Sequence, residues 1–261
     1  MLKKRIIGTI VIYEELVVQS FGFKRKLPLG KPEIFIENLD RWGVDEIAVL
    51  DISASKLSNG VNFDLLKKIG NVNKNTPIAY GGGIKSKKDA VDIINLGFER
   101  VILDNLFINN SDEIKKISRS IGSQAVIISL PLSVGKANTL LHYDYLKKIS
   151  NTLETSKIIN NRNYFSEIML IDYKNEGYFQ SFSKNLLKKF LDKDLKVPLL
   201  VFGGISHNKQ IEFFLNQKEV MGVCIGNFLN YKEHTVQTYK DFLMNKKTNF
   251  IRDKSFYKNI L

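Results

Sequence analysis

The sequence predicts a single α/β domain folded as a (β/α)8 barrel built from two half-barrel repeats, and three observations carry that prediction. The stretch Pro77-Ile78-Ala79-Tyr80-Gly81-Gly82-Gly83-Ile84 returns almost unchanged as Pro198-Leu199-Leu200-Val201-Phe202-Gly203-Gly204-Ile205. The same 121-residue step joins Glu46 to Glu167, Asp51 to Asp172 and Phe107 to Phe228 without a gap, and each interval alternates β-type runs with amphipathic stretches, the pattern of a closed parallel barrel. The third is size: 261 residues with 44% hydrophobic content suffice for a full core, and about 250 residues is usual for eight β/α units. The expected halves are about 1–121 and 122–245, with a C-terminal extension over 246–261.

In chain order, Arg5 to Val11 is the first strand, and Leu16-Val17-Val18 with Phe21 to Phe23 predicts a small hairpin inserted before the first helix. Lys31-Pro32 opens that helix, with Ile34, Ile36, Leu39 and Trp42 assigned to one face and Gly43 ending it. Glu46 to Asp51 is the second strand, Leu65 and Ile69 mark the next helix, and the glycine-ended stretch from Pro77 is the third strand. Ser86 with Asp89 is a capping-box-like pair, and Gly97 closes that helix. Arg100 to Asp104 is the fourth strand; Asn110-Ser111-Asp112-Glu113 caps the helix ended by Gly122. Gln124 to Leu130 is the fifth strand, followed by a segment from Pro131 to about Asn151 long enough to need a purpose or its own hairpin, for which Leu140 to Tyr145 supplies strand residues. Glu167 to Asp172, Pro198 to Gly203 and Gly222 to Gly226 complete the eight. The basic, aromatic tail from Lys246 to Leu261 is expected to pack outside.

Composition excludes several classes. No apolar run reaches signal-peptide or membrane-spanning length, so a soluble, cytoplasmic protein without a membrane partner is expected. Cys224, the single cysteine, rules out a disulfide framework and reads as a small core residue. The formal charge of +12 is spread along helices with only Lys24-Arg25-Lys26 clustered, so no nucleic acid is expected. His142, His207 and His234 lack ligand spacing; neither a metal nor a cofactor is expected.

Lys4-Arg5-Ile6-Ile7, Val44-Asp45-Glu46-Ile47 with Leu50-Asp51-Ile52, Gly81-Gly82-Gly83-Ile84, Gly122-Ser123-Gln124-Ala125-Val126 and Gly203-Gly204 resemble the cyclase subunit of imidazole glycerol phosphate synthase over nearly the whole chain. The resemblance implies a barrel that pairs with a glutaminase subunit at its N-terminal face, receives ammonia along its axis and uses it at the far face to close an imidazole ring. It implies catalytic aspartates at the ends of the first and fifth strands, but those positions here are Val11 and Pro131, and a lysine of the family pattern is Gln19. A missing general acid or base costs about 10²–10⁴-fold in rate, so cyclase chemistry is expected to be lost unless Glu14, Glu15, Asp51 or Asp144 substitutes.

The family's ammonia gate maps to Arg5, Glu46, Arg100 and Glu167, with arginine replacing a lysine at 100; the alternative is a stabilising ion-pair layer without conduction. Its two phosphate sites map to Gly177, Gly204, Ile225 and Gly226 on one side and to Gly83, Asp104 and Asn105 on the other, where the Asp104 carboxylate would repel phosphate unless it points away; tight turns alone also account for the glycines. The loop from Phe23-Lys24-Arg25-Lys26 to Gly30-Lys31-Pro32 resembles the branch that serves acetamidino-sugar synthesis for surface polysaccharides. The expected function is therefore an ammonia-passing barrel between a glutaminase and a sugar-amidating synthetase docked around Lys24 and Tyr143. The alternatives are the cyclase itself, in histidine biosynthesis, and a barrel that binds a phosphate-containing small molecule.

Overall fold

The computed structural model describes residues 3–56, 60–231, 234–245 and 251–252. Strand β1 (Arg5–Tyr13) leads into β2 (Leu16–Phe21), β3 (Arg25–Gly30) and helix α1 (Pro32–Trp42). Then follow β4 (Glu46–Asp51), α2 (Ile52–Lys56), α3 (Phe63–Gly70), β5 (Ile78–Gly81), α4 (Lys87–Asn95), β6 (Arg100–Leu103), α5 (Asn105–Asn109) and α6 (Ser111–Ile121). The remainder comprises β7 (Val126–Val134), β8 (Leu140–Asp144), β9 (Ile149–Thr152), α7 (Thr155–Asn160), β10 (Glu167–Asp172), α8 (Lys184–Leu191), β11 (Leu199–Phe202), α9 (Asn208–Leu215), β12 (Val220–Ile225) and α10 (Thr235–Asn245).

Eight parallel strands close a barrel in the order β1-β4-β5-β6-β7-β10-β11-β12, with β12 returning to β1. The two-residue period of a strand sorts their side chains. Ile7, Val11, Ala48, Met169 and Leu200 fill the interior, while alternate residues such as Ile6, Ile10, Ile47 and Val49 pack outward under the helices. The Ser86–Asp89 capping box forms, and Asn110 accepts from the Glu113 amide at the start of α6. Among the described residues no helix is long and apolar enough to cross a membrane.

β1 and β7 outlast the barrel in the same way. β1 is paired with β12 only through Gly8 and takes the antiparallel partner β2 from Val11 onward; β7 is paired with β6 only through Ile128 and takes the antiparallel β8 from Leu132. Pro131 falls at the break between those two ladders, where a strand tolerates a residue without an N–H. The first excursion is a meander of β1, β2 and β3, and the second one of β7, β8 and β9.

Some expectations are corrected. Phe21 to Phe23 is the end of β2 and the turn after it, and the hairpin's second arm is Arg25–Gly30. That arm pairs only with β2 and leaves Leu27 and Leu29 exposed, so it carries no alternation to read. Ile34 is 54% exposed while Ile36 and Leu39 are buried, since residues two apart on a helix face roughly opposite ways. Asp104 lies beyond β6 as the residue before α5. Of the tail, Lys246–Phe250 and Asp253–Leu261 lie outside the described residues; Ile251 is buried and bridges Lys4.

Candidate functional site

At the lower mouth, the N-terminal ends of the strands, Arg5, Glu46, Arg100 and Glu167 are the first residues of β1, β4, β6 and β10. Arg5 spans both glutamates: Nη1 lies 2.7 Å from Glu46 Oε2 and Nη2 pairs with Glu167 Oε1. Arg100 does the same from the other side, with Nη1 3.2 Å from Glu46 Oε1 and 2.6 Å from Glu167 Oε2. The last contact is off the hydrogen-bonding direction, so this oxygen has an ion-pair partner and no directed hydrogen bond. The result is a closed, neutral square whose side chains are 4–14% exposed. Burial works against the charge on Arg5, but Glu167 and Glu46 outweigh it and hold its pKa above the ordinary arginine value. Above the square lie Ile7, Ala48, Ile127, Met169, Leu200 and Cys224, where burial pushes the Cys224 thiol far up and leaves it an apolar filler.

At the upper mouth, Val11 and Pro131 are buried within β1 and β7, Val11 opposite Leu50 and Pro131 opposite Ile171. Their side chains transfer no protons. The nearby carboxylates have other tasks. Asp51 Oδ1 accepts from the Ser53 amide, the Ser53 hydroxyl and the Ala54 amide, and Asp144 Oδ1 accepts from the amides of Leu146 and Lys147. Glu14 and Glu15 form the exposed β1–β2 turn.

The turn after β2 inserts Phe23 into the mouth, 4% exposed and edge-on to Tyr145 at 5.3 Å and Phe202 at 6.4 Å. Glu176, in the loop after β10, holds that turn: its Oε2 accepts from Ser20 Oγ (2.9 Å) and the Phe23 amide (3.0 Å), and its carbonyl from the Gly22 amide (2.9 Å). Asn227 grips the same strand, its Nδ2 donating to the Ser20 carbonyl at 2.8 Å. Gly177 (φ +82°) sits so close to that carbonyl that a Cβ would collide with it, and at Gly204 (φ +71°) a Cβ would come 2.7 Å from the Asn175 carbonyl. The loops carrying Gly177, Gly204, Ile225 and Gly226 thus interlock on one side of the mouth. Across it, Gly83, Asp104 and Asn105 line a cavity of about 300 Å3 together with Phe23 and Tyr145.

Burial pushes the Glu176 carboxyl up to about 7, against the smaller lowering effect of its hydrogen bonds. A carboxyl raised from 4.5 to about 7 binds more protons folded than unfolded, so its contribution falls as pH rises through that window, by about 3 kcal/mol in all. Glu176→Gln should therefore raise Tm at pH 8 by several degrees and leave it nearly unchanged at pH 4.5, as read by thermal unfolding at both pH values. No sequence signal points to Glu176, because its partners are 153 to 156 residues away.

Of the histidines, His142 Nε2 lies 3.3 Å from Asp104 Oδ1, and His207 caps α9 by accepting from the Lys209 amide. His234 immediately precedes α10. Among the described residues no group of three or more His, Cys, Asp or Glu is placed to hold a metal ion.

These features define a class: a (β/α)8 barrel with an ion-paired lower mouth and its candidate site in the loops at the upper one, where barrels of this kind carry their sites. The chain belongs to the histidine biosynthesis protein family, whose model matches residues 5–235. It is 30% identical, over 99% of its own length and 95% of the relative's, to a Vibrio vulnificus (strain YJ016) protein provisionally named imidazole glycerol phosphate synthase subunit hisF2. It is 28% identical, over 89% of its length and 92% of the relative's, to a Leptospira interrogans protein provisionally named subunit HisF of the same synthase. Against the imidazole glycerol phosphate synthase subunit HisF of Thermococcus onnurineus (strain NA1), identity is 26% over 94% and 97% of the two chains.

Proposed function

We propose that this protein is a non-cyclising barrel subunit of a glutamine-dependent amidotransferase system in the cytoplasm. It passes ammonia from a glutaminase at its lower face to a synthetase at its upper face, which builds an acetamidino group on a sugar of a surface polysaccharide. The observation that carries this reading is a conjunction: four paired charges close the lower mouth, while Val11 and Pro131 stand where the proton-transferring groups belong. In this reading Arg5, Glu46, Arg100 and Glu167 admit ammonia when the glutaminase docks, and the two meanders around Lys24 and Tyr143 receive the synthetase. Backbone amides near Gly177, Gly204, Ile225 and Gly226 serve a phosphate-containing small molecule.

The test is reconstitution of the barrel with both partners, following glutamine-dependent amidation of the sugar. Arg5→Ala with Glu46→Ala removes one charge of each sign and leaves the Arg100–Glu167 pair neutral, and circular dichroism of the variant checks that the fold is retained. Sugar amidation per glutamine hydrolysed should change at least severalfold. Unchanged transfer would remove the conduit, and turnover of the family's phosphorylated ribonucleotide substrate with ammonium salt would instead restore the cyclase.

A further inference from the structure

The cavity at the upper mouth has a chemistry that phosphate recognition does not explain. Its walls are apolar where Leu50, Ile102 and Ile171 rise from the barrel, and the mutually edge-on rings of Phe23 and Tyr145 line it as well. Two carboxylates line it, Asp51 and Asp104. Asp104 precedes α5 without capping it through its side chain. Its Oδ1 faces His142, which is 4% exposed, and among the described residues no donor is placed on Oδ2. The Tyr145 hydroxyl is buried with no hydrogen-bond partner among the described residues. Lys85 also borders the cavity, with its side chain exposed.

We infer that this cavity binds a small organic cation, an alkylammonium or amidinium group, with Asp104 as the anchoring carboxylate and the Phe23 and Tyr145 rings over it. A carboxylate in apolar surroundings strengthens a charge-assisted hydrogen bond to a cationic N–H donor. Aromatic faces favour the same charge and disfavour an anion. Within an enclosure at the small end of ligand-pocket sizes, both features select positive charge, and Asp51 adds to it. His142 pairs with one Asp104 oxygen, which leaves the other for a donor on the bound cation. The inference stands apart from ammonia relay, since it requires neither partner enzyme.

The experiment uses the full chain and three probes followed by amide NMR: acetamidinium chloride, its uncharged isostere acetamide, and inorganic phosphate. Acetamidinium is expected to shift the amides of Phe23, Asp104 and Tyr145, with acetamide at least about tenfold weaker and phosphate without effect on these three. Asp104→Asn, which keeps the shape and removes the charge, should weaken acetamidinium about tenfold or more. Phosphate perturbing these amides more tightly than acetamidinium, equal binding of acetamidinium and acetamide, or no response at these residues would each overturn the proposal. If Asp104→Asn fails to fold, the two isosteres on the unaltered chain decide the matter.

Discussion

Arg5→Met is expected to cost about 3–5 kcal/mol of folding free energy, measured as the shift in urea midpoint at constant slope. Arg5 bridges two glutamates whose side chains are only 4% and 9% exposed. Removing it leaves two buried carboxylates to a single guanidinium, Arg100, which also donates to Ser166 Oγ and the Gln124 carbonyl. The penalty is that of an uncompensated buried charge rather than of one lost contact. Arg5→Met combined with Glu46→Gln should therefore cost less than the sum of the two single changes, since the double variant is again neutral and retains Arg100 against Glu167. Strict additivity would mean that the four groups do not act as one unit.

Val11→Asp is expected to cost about 3–4 kcal/mol at pH 7 and distinctly less near pH 4. Val11 is 4% exposed, flanked by Val18 and Leu50 and packed in the barrel's interior cluster. A carboxyl placed there is held protonated by desolvation, with a folded pKa well above its unfolded value near 3.9. Stability is then lost as pH rises past the unfolded value, so denaturation at the two pH values gives the sign. Val11→Asp with Pro131→Asp should not produce cyclisation either. The Phe23 turn occupies the same mouth, held by Glu176 and Asn227. Turnover of the phosphorylated ribonucleotide by the double variant would overturn this expectation.

Much of this architecture was legible because it rests on short-range rules. The glycine-ended apolar runs became β5 and β11, and Glu46 and Glu167 begin their strands at equivalent places, as their spacing demanded. The Ser86 and Asn110 caps depend on residues three positions away and formed as read. What escaped was long-range or locally unfavourable. Phe23 takes a left-handed conformation (φ +55°) that no side-chain rule favours, and it is held there by a glutamate far along the chain. The pairing of Asp104 with His142 depends on a second meander whose register no pattern reveals.

The lower square divides unequally between the two halves of the chain, with a consequence for assembly. Cutting the chain after residue 121 places Arg5, Glu46 and Arg100 with the four barrel strands β1, β4, β5 and β6, and Glu167 alone with β7, β10, β11 and β12. Two copies of the earlier fragment joined face to face would bury an excess of positive charge at their base, and two copies of the later one an excess of negative charge. Only unlike fragments would cancel at this layer, so its charge balance favours pairing of each piece with its complement over pairing with itself.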